Sequence, residues 1–284
     1  MPRTGGGPEG RRDRSAPRGG RRSGRRGQTG RATRAPWWVV VSLRLGLLGA
    51  VLGLWQVAAI TRVIDPFFIG EPTRIFQQLV TWTGDGSIFD NIWVTVEEAT
   101  IGFAISAVAG IGLGLLLARY ELLDRVMYPF VNVLNTVPRF ALAPLFLLWF
   151  GLGITGKIAL VVSVALFNFL INTYSGAKEV DQESVKLVQL LGATPWEVTR
   201  YVMLPSLVPW IMSAMRFAVA YSLAAAVIAE IVGANQGIGY LIAYTSGLLQ
   251  TNGTFAALGV LGLIAWLANT GIAQLERRLL RWQV

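Results

Sequence analysis

The residues able to do chemistry in this chain are few, and they sit where charge is expensive. Glu97, Glu98, Arg139, Arg216 and Glu230 interrupt otherwise apolar runs, and Arg44 lies near one end of the first run. An ionisable side chain inside a bilayer is costly and so marks a functional candidate by default. The chain has no His and no Cys. That removes the usual general base, the usual metal ligands and any disulfide, and it disfavours catalysis within a membrane. What remains is the chemistry of recognition, in which guanidinium and carboxylate groups stabilise charge and amides hydrogen-bond.

The candidates differ in what surrounds them. Arg44 is close enough to a helix end to snorkel. Glu97 and Glu98 lie about one to two turns inside the second apolar run, near its external interface. Arg139 follows Pro138, which kinks the third run or starts it afresh, and it reads as a packing or pathway charge. Arg216 and Glu230 share the fifth run but are about 21 Å apart along a helix, so they do not pair with each other. Asn168 and Asn172 stand at i, i+4 in the fourth run, and Asn132 and Asn135 at i, i+3 near the start of the third. Such amides bond helix to helix or line a pathway. Arg139, Asn168, Asn172, Arg216 and Glu230 are the candidate pathway residues.

These groups must be positioned by membrane helices. The chain is 53% hydrophobic and 14% charged, with a mean hydropathy of +0.52. That is too apolar for a soluble domain and indicates an all-α polytopic membrane protein. A hydrocarbon core about 30 Å thick needs roughly 20 apolar residues per helix. About six segments meet that length: Trp37–Ile60, Ile92–Ala118, Met127–Phe150, Ile158–Ser175, Ser206–Val232 and Phe255–Ala273. Gly102, Ala107, Gly110, Gly112 and Gly114 in the second allow close helix approach. Its GxG elements follow no strand and lead to no P-loop lysine, so they are not nucleotide loops. No cofactor or metal is expected on this chain.

The formal charge of +9 resides in residues 1–36, which hold eleven Arg against Glu9 and Asp13; the rest is balanced, fourteen basic against fourteen acidic. This Gly/Arg/Pro/Ser-rich tail cannot bury enough surface to fold and is expected to be disordered. Beside a first membrane helix, such a segment stays cytoplasmic and attracts anionic membrane lipid, a better reading than nucleic-acid binding. The apolar run from Trp37 is too long for a cleavable signal core. Residues 37–284 form the membrane domain. With an even number of spans, the tail shares a side with Arg119, Arg125, Lys178, Lys186, Arg200, Arg277, Arg278 and Arg281, against Arg62, Arg74 and Lys157 opposite. The positive-inside rule places both termini and residues 176–205 in the cytoplasm. In the external loop 61–91, Pro72 followed by Ile75, Phe76, Leu79 and Val80 predicts a short amphipathic helix along the outer face.

Residues 176–205 read GAKEVDQESVKLVQLLGATPWEVTRYVMLP, polar yet patterned. Val185, Val188 and Leu191 fall on one helical face, with Leu187 and Leu190 beside them. Gly192 ends that helix. Thr194, Pro195 and Glu197 give the second helix a cap, a proline at its first position and a T-x-x-E box. That helix is predicted to run to Leu204, with Pro205 opening the next span. Helices this short are marginal without packing, so something must cover the apolar face.

Gly192, nine residues, then Val202-Met203-Leu204-Pro205 resembles the EAA loop of binding-protein-dependent ABC transporter permeases: E-A-A, three residues, Gly, nine residues, Ile-x-Leu-Pro. From about Phe68 to Trp282 the chain is similar to the nitrate/sulfonate/taurine branch, through VPRFALAPLFLLWFGLG (137–153), KIALVVSVALFNFLINTYSGAKEVD (157–181), AEIVGANQGIGYLI (229–242) and ERRLLRW (276–282). The resemblance implies a type I importer permease of the inner cell membrane. Glu183, Lys186, Leu187, Val188, Gly192, Ala193, Leu204 and Pro205 would couple it to cytoplasmic ATPase subunits, which carry the ATP and Mg. It also implies a second permease copy, most simply a homodimer, and an extracytoplasmic substrate-binding protein. The substrate would be a small anion: a sulfonate, taurine, nitrate or an aromatic carboxylate. One position departs. Lys186-Leu187-Val188 aligns with E-A-A, so a base stands where the pattern has an acid, and Glu183 on nearly the same face could supply a displaced carboxylate.

Two other classes fit the sequence less well. An ion-coupled secondary transporter needs coupling carboxylates or broken helices at mid-membrane within inverted repeats; Glu230 is too near one face and about six helices are few for that class. A membrane enzyme is opposed by the missing His and Cys and by the lack of a carboxylate cluster.

Overall fold

A computed structural model describes residues 36–279. The tail expected to be disordered (residues 1–36), apart from Pro36, and the last part of the 276–282 motif lie outside these residues. The chain divides into residues 1–47, whose described part is the first half of α1, and residues 48–284. The elements are α1 (Trp37–Ile60), α2 (Pro66–Ile69), α3 (Pro72–Gly84), α4 (Ser87–Arg119), α5 (Glu121–Thr136), α6 (Ala143–Phe150), α7 (Ile154–Lys178), α8 (Gln182–Leu190), α9 (Pro195–Val198), α10 (Leu204–Gly233), α11 (Ile238–Gly247) and α12 (Thr251–Leu279). There is no strand among the described residues. Among the described residues, five helices are long and apolar enough to cross a membrane, six when α5 and α6 count as one bent span.

A break at Pro138 divides the third run over Met127–Phe150, the kink or fresh start expected of that proline. α5 and the Arg139–Phe150 segment meet at 77°. Pro138 causes the break: it holds Val137 extended (φ −66°, ψ 128°) and cannot continue the hydrogen-bond ladder. A 3₁₀ turn over Arg139–Leu142 then leads into α6. Helix α3 begins at Pro72, as predicted. Helix α11 was not anticipated; at ten residues it is too short to span, and its polar flanks read as loop.

Helix α7 is the centre of the bundle because it is apolar on most faces and meets small residues of its neighbours. Leu160, Val161 and Val164 pack with Ala225, Ala226 and Ala229 of α10 and Ala143 of α6. On another face Phe169 packs with Ala214 and Ala218 of α10 and Phe103 of α4. α4 approaches α7 backbone to backbone at Gly110, where a Cβ would lie 2.6 Å from the Leu166 carbonyl oxygen and 2.6 Å from Phe169 Cβ. Only glycine permits that spacing.

Candidate functional site

The chain between α7 and α10 forms a closed joint. Asp181 caps α8, accepting from the Glu183 and Ser184 backbone N–H groups at 3.0 and 3.2 Å and from the Ser184 hydroxyl at 2.6 Å. The Ser184 hydroxyl, helped by both backbone donors, holds the Asp181 carboxyl below the usual carboxylate range, so the cap is ionised at neutral pH. α8 ends in a Schellman motif: Gly192 N–H donates to Gln189 O at 2.9 Å and Ala193 N–H to Val188 O at 3.2 Å. Gly192 takes φ +88°, the left-handed conformation such a cap requires. Thr194 and Glu197 then form the anticipated capping box ahead of α9, with Pro195 at its first turn.

The continuation differs from the prediction. The second helix does not stop at Leu204. A π turn over Thr199–Met203 carries it directly into α10, so the elbow and the span form one rod. Pro205 has no N–H and its ring crowds the carbonyl four residues earlier; a wider π turn absorbs that defect. Motion of α9 therefore reaches α10 without a hinge of coil.

The apolar residues of the elbow split between two faces. Val185, Gln189 and Val198 face the ends of α4 and α7, around Ala118 and Ala177, and Val198 is buried. Val188 and Ala193 are half-buried, as is Pro205, whereas Leu204 is exposed. Leu187, Leu190, Leu191 and Trp196 are 60%, 85%, 79% and 66% exposed, so they form an uncovered apolar set. Glu183 and Lys186 are exposed beside them, and neither forms an ion pair among the described residues. The base of the elbow is tied to α5, where Asp124 binds Lys178 Nζ at 2.7 Å and accepts the Tyr174 hydroxyl at 2.7 Å. Tyr128 stacks on Tyr174 with ring centres 4.3 Å apart.

Three of the five candidate pathway residues meet at the other end of α5. Arg139, Asn168 and Asn172, with Phe140, Phe167 and Tyr221, line a cavity of about 430 Å³ beside the α5–α6 break. Arg139 Nη2 donates to Leu134 O at 2.8 Å and to Asn135 Oδ1 at 3.2 Å. Its guanidinium carbon sits 4.0 Å from the centre of the Phe167 ring. Asn168 donates to Ala214 O on α10 at 2.9 Å, and Asn172 donates to Asn168 O and Oδ1 at 2.8 and 3.1 Å. Asn168 thus bonds helix to helix while Asn172 bonds within α7, and both line the cavity.

Arg216 and Glu230 lie outside this cavity. Arg216 pairs with Glu276, joining α10 to α12. Glu230 is buried at the far end of α10, 1% exposed. Its Oε1 accepts from the Thr95 hydroxyl at 2.7 Å and its Oε2 from Gly239 N–H at 2.6 Å. Asn91 Oδ1 and Thr95 Oγ1 accept the N–H groups of Gly237 and Ile238 at 2.7 and 2.8 Å. Together these side chains satisfy donors that the first turn of α11 leaves free, and they set a carboxylate at its positive end.

Lys157 departs from the external loop expected of it: α7 begins at Ile154 and buries it. Its ammonium meets Glu98 Oε1 at 2.6 Å, with side chains 6% and 1% exposed. A lone carboxylate in an apolar helix signals a need for a counter-charge, and the sequence carried that signal at Glu98. The choice of Lys157, 59 positions away, is set by α4–α7 packing.

Residues 110–281 match the family model described as binding-protein-dependent transport system inner membrane component. The formylaminopyrimidine transport permease of Halalkalibacterium halodurans is 32% identical over 81% of this chain and 91% of its own length. The taurine transport system permease of Escherichia coli is 27% identical over 85% of this chain and 90% of its own. An inward-facing structure of the MetNI methionine ABC transporter superposes with a TM-score of 0.61 at 18% identity, covering 69% of this chain and 98% of that one. That likeness speaks to the fold.

Proposed function

The chain belongs to the binding-protein-dependent transport system inner membrane components, is a multi-pass ABC importer permease subunit, and from that premise we propose how it works. The elbow over 183–204 lies in the cytoplasm and seats on an ATPase subunit. Two permease copies enclose the pathway, two ATPases bind ATP and Mg, and an extracytoplasmic binding protein delivers a small anion. Sulfonates, taurine, nitrate and aromatic carboxylates are the candidates, with the taurine permease of Escherichia coli among the similar proteins. ATPase closure would push on α8 and α9. The π turn passes that push into α10, and the Asp124–Lys178 tie passes it into α5. The helices at the α5–α6 break would then reorganise around Arg139, Asn168 and Asn172, the residues proposed to line the pathway. Alternating access needs differential stabilisation of two states, not a tight site.

The observation that carries this reading is the elbow itself. A doubly capped helix–Gly–helix joint that leaves Leu187, Leu190, Leu191 and Trp196 uncovered suits a partner groove far better than water. The test is uptake into vesicles holding the assembled transporter. Uptake is expected to require ATP and to survive a proton uncoupler. Uptake that persists without ATPase and collapses with the uncoupler supports an ion-coupled transporter instead.

A further inference from the structure

The cavity at the α5–α6 break has a composition that narrows the substrate. No carboxylate lines it. Arg139 commits only Nη2 to the protein, which leaves the Nε and Nη1 N–H groups without a partner among the described residues. The Tyr221 hydroxyl likewise makes no hydrogen bond among them. One face of the guanidinium is covered by Phe167, and Phe140 stands 6.4 Å from Tyr221, ring centre to ring centre. The site therefore offers unfilled guanidinium donors on Nε and Nη1 next to aromatic walls.

We infer that this cavity takes a small monoanion with a carboxylate or sulfonate head and a flat apolar body, and that it rejects zwitterions. The inference rests on the importer reading. An oxyanion head takes a charge-assisted hydrogen bond from the free Nη1 N–H groups of Arg139. A ring body would lie against Phe140, Phe167 and Tyr221, replacing water on apolar walls. A cavity of about 430 Å³ is within the range of sites that enclose organic molecules, and nitrate would leave its aromatic walls unused. A taurine-like ammonium would enter a site that holds a fixed cation and no counter-charge, so its desolvation goes uncompensated. Phenyl-type monoanions are thus favoured over both nitrate and taurine.

The probes are benzenesulfonate, its neutral isostere benzenesulfonamide, and taurine. Binding to the assembled, nucleotide-free transporter is measured by equilibrium dialysis in nanodiscs without binding protein. Benzenesulfonate is expected to bind at least about ten-fold more tightly than either competitor, a difference of about 1.4 kcal/mol. Arg139→Gln is expected to erase that preference, and so is Asn172→Asp, which places a carboxylate in the cavity and leaves the Arg139 hydrogen bonds at the break in place. Equal binding of taurine and benzenesulfonate overturns the inference, as does an unchanged preference in folded variants. Loss of benzenesulfonate binding when phosphatidylglycerol replaces phosphatidylcholine overturns it too, because the site would then hold a lipid headgroup. The wild-type comparison needs no variant to fold. Absence of ATP-driven uptake sinks the importer reading, whereas ATP-driven uptake with taurine bound best sinks this inference alone.

Discussion

Glu98→Ala is expected to destabilise the membrane domain by about 3–5 kcal/mol, the usual cost of breaking a buried ion pair from one side. Glu98 and Lys157 are both buried and 2.6 Å apart, and they join α4 and α7, whose backbones approach closely at Gly110. Removing the carboxylate takes the hydrogen-bonded partner from a buried ammonium and leaves only the Glu230 carboxyl near enough to attract it, which costs more than the pair itself contributes. For a domain of this size the loss corresponds to a fall in the thermal midpoint on the order of 10 °C, measurable in detergent. The double change Glu98→Leu with Lys157→Met is expected to recover most of it, since an apolar pair of similar volume is often neutral. A single variant that melts with the wild type would show that water or lipid reaches Lys157.

Gly192→Trp is expected to lower transport by at least about ten-fold while membrane abundance stays normal and the partner ATPase keeps hydrolysing ATP. No atom lies within 4 Å of a Cβ built at Gly192, so the side chain has room. The backbone does not: φ is +88°, and a left-handed residue other than glycine costs roughly 1–2 kcal/mol. Relief of that strain opens the Schellman closure made by Gly192 and Ala193 and changes the angle between α8 and α9. The bundle core is remote from this turn and keeps its packing. Uptake at the wild-type rate would remove the elbow from the coupling path.

What the sequence revealed about this site follows the range of the interactions involved. The Asp181-to-Gly192 helix, the Thr194–Glu197 box and the start of α3 at Pro72 are local chemistry, in which each residue's partner lies within a few positions. The break at Pro138 was legible for the same reason, though not its 77° angle, which depends on how α6 packs on α7. Contacts across the bundle were not legible. Lys157 read as a loop residue because GLGITGK resembles a connector, and its burial depends on Glu98 arriving from α4. Glu230 read as an isolated charge because its partners, Thr95 and Gly239, come from two other helices. Arg139, Asn168 and Asn172 were singled out separately, and the fold brings them to one cavity. The outward turn of Leu187, Leu190 and Leu191, away from Val185, was hidden because all belong to one apolar pattern.

The chain has no cysteine, which makes the central claim directly testable. Leu187→Cys places the chain's sole thiol on the elbow, and Arg74→Cys places one on exposed α3 at the other end of the bundle. Each is co-expressed with a partner ATPase carrying a single cysteine in the groove expected to receive the elbow, and the complex is oxidised in membranes. The account predicts a disulfide-linked permease–ATPase species from Leu187→Cys and none from Arg74→Cys. A complex that forms and cross-links only through Arg74→Cys, or an ATPase that never co-purifies with the chain, would contradict it.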